Sequence, residues 1–185
     1  MIQHIDVHNV LQRCVCDLYS NLVTRPTGAA VRTEIELLLG ELRAPRTLTV
    51  IDFTNVALLD YSCADEIVAK LLLRCVDAAG MPDGYFLFRG ISEAHADAIE
   101  AVLERHGLAL VAQRAGEDRL HLLGTLGADE RRAWEAIADR GLVDAAELAE
   151  AAGCDVDTAA RLLEALYRRR LVMALDGGYV VLGGI

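Results

Sequence analysis

Cysteine is the residue type in this chain whose position could support covalent chemistry. Cys63 lies in the stretch DYSCAD, residues 60–65, where a short apolar strand pattern is followed at once by a helical pattern. A thiol at a helix N-terminus can have a lowered pKa, but a nucleophile also needs a neighbouring base or a cradle for an anion. The next residues, ADEIVAK, contain neither the glycine-rich loop nor the arginine of a cysteine-dependent phosphatase. We therefore interpret Cys63 as a packed structural thiol, with a Cys63-dependent catalytic domain as the alternative.

The other cysteines and the histidines predict neither a disulfide framework nor a metal site. The cysteines are Cys14, Cys16, Cys63, Cys75 and Cys154, an odd number placed in apolar or helical patterns, which favours reduced thiols. His4 and His8 are four residues apart, but the residues between them read partly as a strand, so a surface pair is the simpler interpretation. The chain contains no G-x-x-x-x-G-K and no G-x-G-x-x-G motif. We expect no metal, no cofactor and no enzymatic activity.

Composition and charge limit the classes of partner. Of the 185 residues, 54% are hydrophobic and 25% are charged, which is enough apolar material for a packed core. The formal net charge of -10 disfavours nucleic-acid binding by the surface as a whole, because phosphate would be repelled. No apolar run reaches the roughly 18 residues of a membrane span, and the start MIQHIDVHNV lacks the pattern of a secretory signal. We expect a cytoplasmic protein with no membrane contact.

The first two thirds of the chain alternate strand and helix patterns. Pro26 suits the first turn of a helix, Ser92 suits an N-cap and Gly107 suits a helix end. The predicted order is a strand in IQHIDV, a helix over 9–22, a helix in TRPTGAAVRTEIELLLGEL ended by RAPR, a strand over 47–53, a helix over 64–79, a GMPDG turn, a strand in YFLF, a helix over 92–107, and strands in LALVAQ and RLHLLG. This order predicts a domain over 1–124 of the α/β class, with helices covering a mixed sheet.

The last third has a different pattern, which predicts a smaller α+β domain over 127–185. Three consecutive helices are expected in GADERRAWEAIADRG, DAAELAEAAG and DVDTAARLLEALYRRR, followed by a hairpin in LVMAL-DGG-YVVL. Asp144 with Glu147 forms a capping-box pattern, and Asp155 can cap the third helix. Trp134 is expected in the core of this domain.

The segment ELAEAAGCDVDTAARLLEALYRRRLVMALDGGYVVL resembles a winged helix-turn-helix. Small residues fall at the tight turn, and Val156, Leu162, Leu163 and Leu166 are expected to seat the recognition-type helix. Such domains bind DNA or other proteins. The candidate DNA-binding residues are Arg161, Arg168, Arg169 and Arg170. The two aspartates in DVDTAAR would meet phosphate badly at the end of the helix that enters the groove, so DNA, a second protein and homodimer formation all remain open.

The segment LTVIDFTNVALLDYSCADEIVAKLL resembles the core of a STAS domain, the fold of bacterial anti-sigma-factor antagonists. The upstream TRPTGAAVR is similar to a segment of a divergent STAS-like group. In that family a strand ends in an aspartate, a hydroxyl-rich loop follows, and a partner kinase phosphorylates a serine or threonine of the loop. Asp60 matches the aspartate and Ser62 a loop hydroxyl, whereas Tyr61 occupies the position most often phosphorylated. The resemblance implies recognition of a protein partner, such as an anti-sigma factor or histidine-kinase-like ATPase.

These residues give two interpretations of the junction. Ser62 with Asp65 fits a Ser-x-x-Asp helix start, so Ser62 is predicted to cap the helix. Phosphate on Ser62 would be stabilised by the helix N-terminus and repelled by Asp60 and Asp65. The predicted partner-binding residues are Asp60, Tyr61, Ser62, Cys63, Asp65 and Glu66. Besides Cys63 catalysis, a ligand-sensing pocket at the strand ends is the alternative to this recognition surface.

Overall fold

The computed structural model describes residues 1–15, 20–41, 47–76 and 84–184. The chain divides into two compact units, Met1–Gly124 and Thr125–Ile185. The first unit alternates strands with helices and the second contains three helices and a hairpin. The predicted α/β class, with a mixed sheet, is confirmed.

The first unit contains a main sheet, a small two-stranded sheet and a helical layer. Its strands are β1 (Ile2–Asp6), β2 (Asn21–Leu22), β3 (Thr47–Asp52), β4 (Leu58–Leu59), β5 (Gly84–Ile91), β6 (Ala109–Arg114) and β7 (Leu120–Gly124). Its helices are α1 (Val7–Cys14), α2 (Arg25–Gly40), α3 (Tyr61–Ala64), α4 (Lys70–Val76) and α5 (Glu93–His106). A π-helical turn (Asp65–Ala69), named the π segment below, joins α3 to α4.

The main sheet has the order β1-β3-β5-β6-β7, with the first four strands parallel and β7 antiparallel to β6. Strand register places Ile5, Ile51, Phe88 and Ala112 in one row across four strands. The row belongs to the buried cluster that also contains apolar side chains from α1, α2, the π segment, α4 and α5. The apolar sides of the helices therefore pack against one face of the sheet. This arrangement fits apolar residues at every second position of a strand and at every third or fourth position of a helix.

Several element boundaries differ from the predictions. The helix expected over 9–22 begins at Val7, because the Asp6 carboxylate accepts from the Asn9 N–H and so caps it earlier. At the other end of that range, Asn21–Leu22 is a strand paired in parallel with Leu58–Leu59. Residues 16–19, 42–46 and 77–83 lie outside the described residues, and with them Cys16, the RAPR break, all of the GMPDG turn except Gly84, and the end of the 64–79 helix.

Other local predictions in this unit are confirmed. Pro26 lies in the first turn of α2, where its missing N–H costs no helical hydrogen bond. Ser92 is the N-cap of α5, and its backbone N–H donates to Nδ1 of the buried His95 at 3.3 Å. Gly107 ends α5 with φ of 63°, a left-handed conformation that favours glycine.

The second unit consists of α6 (Ala128–Arg140), α7 (Ala145–Ala152), α8 (Val156–Arg168) and the antiparallel hairpin β8 (Val172–Leu175) and β9 (Gly178–Val181). Both predicted caps form: Asp144 and Glu147 bond reciprocally, and Asp155 accepts from the Thr158 N–H at 2.8 Å. Trp134 is buried, as expected, and its indole N–H donates to the Leu171 carbonyl at 3.2 Å.

Val156 is a correction within this unit. Its side chain is 52% exposed, although the sequence predicts that it helps to seat α8. As the first residue of the helix it precedes the buried stripe, which consists of Ala159, Leu163 and Leu166. Among the described residues of the whole chain, no helix is both long enough and apolar enough to cross a membrane.

Candidate functional site

Asp60 organises the junction between β4 and α3. Its Oδ1 accepts from the Cys63 N–H at 2.8 Å and its Oδ2 from the Thr24 N–H at 2.9 Å. One carboxylate therefore holds the starts of both α3 and α2. Burial raises the pKa of Asp60, but the hydrogen bonds from Thr24, Cys63 and Ser62 bring it below its ordinary value. Asp60 is thus an ionised helix cap.

The predicted cap, Ser62, has a different role. The N-cap of α3 is Asp60, two residues earlier, and Ser62 lies inside the helix. Its hydroxyl donates to Asp60 Oδ1 at 2.9 Å. Aspartate and serine are both good N-cap residues, so the sequence alone does not distinguish Asp60 from Ser62. The helix begins at Tyr61, directly after Asp60, and the prediction of Ser62 as the cap was therefore wrong.

Thr24 adopts a strained backbone conformation at this junction. Its φ is 76°, a value that side chains other than glycine rarely adopt. Its carbonyl accepts from the Gly28 N–H at 3.2 Å and from the Cys63 thiol at 3.0 Å, while its N–H bonds Asp60. Three hydrogen bonds therefore hold a conformation that local sterics disfavour.

The helices α2 and α3 approach closely at Gly28. A Cβ built on Gly28 would lie 2.9 Å from Cys63 Cα and 3.1 Å from Glu66 Cβ. Glycine is required here because the neighbouring atom at the shortest distance is backbone and cannot rotate away. The close approach brings the first turn of α2 against the π segment.

Asp65 and Glu66 are buried in the π segment, with 6% and 2% residue exposure. Arg25 Nη1 bonds Asp65 Oδ2 at 2.9 Å and Glu66 Oε1 at 2.6 Å. His106 Nε2 lies 2.8 Å from the other Asp65 oxygen, and Lys70 also bonds Glu66. These bonds join the start of α2, the π segment and the end of α5. Single-turn π segments in proteins are frequent at functional sites.

The network continues along α2 to α4. Arg32 Nε lies 3.3 Å from Glu66 Oε2, and its Nη1 lies 2.7 Å from Glu36 Oε1. Glu36 Oε2 in turn lies 2.7 Å from Arg74 Nη1. Burial raises the pKa of Glu66, but its bonds to Lys70 and Arg25 bring the pKa below the ordinary value. The pKa of Asp65 is lowered as well, so the buried carboxylates of Asp65 and Glu66 are both anions paired with cations.

Cys63 is fully buried, as expected for a structural thiol. Burial, together with the charge of Asp60 and a hydrogen bond to it, raises the pKa of Cys63 to about 12. An activated cysteine has the opposite environment, partly exposed and beside positive charge. This geometry provides no support for the alternative of Cys63-dependent catalysis.

The six predicted partner-binding residues divide into two groups. Tyr61 is 38% exposed, and Asp60 and Ser62 are half-buried at the surface. Cys63, Asp65 and Glu66 face the protein interior, so their contact with a partner stays a prediction that this conformation does not favour. The carboxylates are buried because cations from other helices neutralise them, a compensation that local sequence does not reveal.

The sequence analysis did not select Arg25, Arg32, Arg105 or His106. Arg25 is separated from Asp65 by 40 residues in sequence, and His106 by 41. No motif spans such separations. Arg25 and Arg32 lie in the TRPTGAAVR segment of the STAS resemblance, but that segment predicted a helix start at Pro26 and no charged contact.

A cleft of about 730 Å³ lies where β5 ends and α5 begins. Its lining includes Ser92, Glu93, Asp97, Arg114 and Glu117. It is the counterpart of the strand-end pocket in the ligand-sensing alternative. The other lining residues are apolar (Ile91, Ala94, Ala96, Ala115 and Leu123), so apolar and charged side chains share the cleft.

The four candidate DNA-binding arginines of the second unit all contact groups of that unit. The contacts are Arg161 with the Thr158 hydroxyl (2.9 Å), Arg168 with Glu164 (2.7 Å), Arg169 with Glu130 (3.3 Å) and Arg170 over the Tyr167 ring (5.6 Å to the centroid). Asp155 and Asp157 lie at the start of α8, as the sequence predicts. DNA phosphates would have to compete with internal partners and approach two carboxylates.

Within the described ranges, no group of three or more His, Cys, Asp and Glu side chains is arranged to hold a metal ion. The start of α2, helix α3 and the end of α5 meet at Arg25, Asp60, Tyr61, Asp65 and His106, and we call this group of residues the corner. Comparison with family models, with curated proteins and with solved structures finds no match to this chain.

Proposed function

We propose that the chain is a bacterial regulatory protein that acts by protein-protein recognition. Its first unit is a divergent STAS-like domain, and its second is a winged helix that relays the docking event to a second protein. The observation that carries the proposal is the corner at Asp60. There, hydrogen bonds tie two helix starts together and present Tyr61 and Ser62 at the surface.

Rigidity favours a recognition role for this corner. A preformed surface binds with a smaller entropic cost than a loop that must be ordered on binding. Asp60 fixes the backbone on both sides of Tyr61 through its bonds to Thr24 and Cys63. The adjacent thiol has no reactive environment, which leaves binding as the chemistry that the corner supports.

Phosphorylation of Ser62 is the proposed means of control. The Ser62 hydroxyl donates to Asp60 Oδ1 at 2.9 Å, so a phosphate on the Ser62 oxygen would face the Asp60 carboxylate. The repulsion would displace Asp60 from its capping bonds, and the surface would change shape. An anti-sigma factor or a histidine-kinase-like ATPase is the partner class that the STAS resemblance suggests.

Affinity capture with the immobilised full chain tests the recognition surface. Proteins retained from the source cells are quantified by mass spectrometry for the wild type, Ser62→Glu, Ser62→Ala and Thr33→Glu. We expect Ser62→Glu to lose the specific partner, because it adds charge beside Asp60. Thr33→Glu, at an exposed position of α2, is the control for added charge and should retain the partner. Equal retention by the wild type and Ser62→Glu contradicts the proposal.

DNA binding by the second unit is the alternative, favoured by three helices followed by a hairpin. It is tested by retention of the full chain on heparin and on duplex DNA as salt is raised. We expect weak retention, because the four arginines have internal partners. Retention that is strong at low salt, falls steeply with salt and is lost in Arg161→Gln would favour DNA over a second protein.

A further inference from the structure

Two arginines and a tyrosine form an exposed group at the corner. We call Arg25, Tyr61 and Arg105 the arginine rim. Arg105 Nη1 donates to the Tyr61 phenol oxygen at 2.9 Å, and Arg25 bonds Asp65, whose other oxygen lies 2.8 Å from Nε2 of His106, the residue after Arg105. The side chain of Arg25 is 49% exposed, and Arg105 is exposed as well.

Charge at this corner is sorted by depth. The side chains of Asp65 and Glu66 are only 9% and 3% exposed, whereas those of Arg25 and Lys70 are 49% and 41% exposed. Carboxylates therefore lie inside and cations outside. An approaching molecule meets guanidinium groups first, in a protein whose formal net charge is -10.

Arg105 differs from the other cations of the corner in its partner. Arg25, Lys70 and His106 each contact a carboxylate, whereas Arg105 donates to the phenol oxygen of Tyr61. In the described part of the chain no carboxylate lies within ion-pair distance of Arg105. The hydrogen bond to Tyr61 and the charge of Asp65 raise the pKa of Arg105.

We propose that the arginine rim receives an acidic segment of the partner protein, with a carboxylate on Arg105 and its chain against Tyr61, while Arg25 keeps its ion pairs with Asp65 and Glu66. The inference rests on the proposed function, because it names the chemistry of the partner that docks at this corner. The formal net charge of -10 disfavours general attraction of an acidic segment, so binding requires a local group of cations such as the rim. The phenol of Tyr61 supplies rigid contact area beside the charges.

The test uses the full chain and a fluorescein-labelled peptide of twelve residues in which glutamate and alanine alternate. Binding is followed by fluorescence anisotropy at low salt and again as salt is raised. We expect saturable binding that weakens with salt. Arg105→Gln should reduce affinity by about two- to fivefold, as for loss of one exposed ion pair. Arg105→Glu should reduce it by more than about tenfold, because it adds repulsion. Arg119→Gln, at an exposed position before β7, is the matched control and should leave affinity unchanged.

Three outcomes overturn the inference: no binding of the acidic peptide, equal affinity for wild type and Arg105→Glu, or equal affinity for a lysine-alanine peptide. Preferential binding of a single-stranded oligonucleotide at Arg105 also overturns it, in favour of a nucleic-acid partner. Far-UV circular dichroism checks that each variant is folded.

The capture experiment separates this inference from the proposed function. If retention of the partner depends on Ser62 but not on Arg105, recognition at the corner stands and its acidic chemistry is wrong. If acidic-peptide binding depends on Arg105 while the wild type and Ser62→Glu retain the partner equally, acidic recognition by the arginine rim is supported and the proposed docking at Ser62 is wrong.

Discussion

Gly28 allows a direct test of the close contact that builds the corner. In the interior of a helix, replacing glycine by alanine normally stabilises a protein, by about 0.5–1 kcal/mol. Gly28 lies inside α2, so helix propensity alone predicts that Gly28→Ala stabilises the first unit. The structure predicts the opposite, because the added Cβ would lie 2.9 Å from Cys63 Cα and 3.1 Å from Glu66 Cβ.

The magnitude follows from two opposing effects. Overpacking a tight contact costs about 1–3 kcal/mol when backbone must shift. Subtracting the helix-propensity gain of about 1 kcal/mol leaves Gly28→Ala about 1 kcal/mol less stable than the wild type. Gly40 is the matched control, since it ends the same helix and a Cβ there would meet nothing within 4 Å. Gly40→Ala should stabilise by about 0.5–1 kcal/mol, which separates the two variants by about 2 kcal/mol.

Urea unfolding of the full chain, followed by far-UV circular dichroism, measures these differences in the free energy of unfolding. For a unit of this size, 2 kcal/mol corresponds to about 8 °C in melting temperature. Hydrogen exchange should show faster exchange in α2 and α3 of Gly28→Ala, because the contact between them is weakened. Stabilisation of both variants by the same amount would falsify the close approach of α2 to α3.

Four further predictions concern the corner. Glu66→Gln should destabilise the chain by about 2 kcal/mol, because Arg25, Arg32 and Lys70 lose the buried anion that they contact. The cost is moderate because these three cations remain partly exposed to water. The pKa values of Asp65 and Glu66 are lowered in the folded protein, so their ionised forms stabilise it above about pH 4, and this stabilisation is lost as pH falls through the folded-state pKa values. In urea titrations from pH 7 to pH 3, the free energy of unfolding of Glu66→Gln should therefore fall less steeply than that of the wild type. Cys63, with its pKa of about 12, should react with iodoacetamide at pH 8 at least roughly tenfold more slowly than exposed Cys14, and comparable labelling by peptide mass spectrometry would contradict its burial. Asp60→Ala should cost about 1–2 kcal/mol in thermal melts through loss of a helix cap, whereas Asp60→Asn, which keeps an acceptor, should cost less; equal losses would argue against the capping role.

The order of elements was predictable because it depends on local patterns. Apolar residues at helical spacing and β-rich runs gave the strands and helices of both units, and Pro26, Asp144 and Gly107 marked helix ends by their own backbone chemistry. The boundaries were less predictable at Val7 and Tyr61, where an aspartate one residue earlier caps a helix sooner than the apolar stripe suggests.

The composition of the corner was not predictable, because its contacts join residues far apart in sequence. Asp65 and Glu66 looked like exposed residues of a helix start, since isolated carboxylates are rarely buried. Their burial depends on Arg25, about 40 positions earlier, and on His106, about 40 positions later. The contacts of the α8 arginines are local by comparison, because Arg161 with Thr158 and Arg168 with Glu164 lie three and four residues apart on one helix.

The sequence by itself determined the strands of the main sheet and most of the helices, and that the DYSCAD stretch links a strand to a helix. Those properties follow from side-chain periodicity and backbone capping, which act within a few residues. Only the tertiary structure decided which charges face solvent. Close packing at Gly28 brings the first turn of α2 against the π segment, so Arg25 neutralises Asp65 and Glu66 inside the protein while Arg105 and Tyr61 remain outside. A charge is buried or exposed according to the partners that reach it in three dimensions.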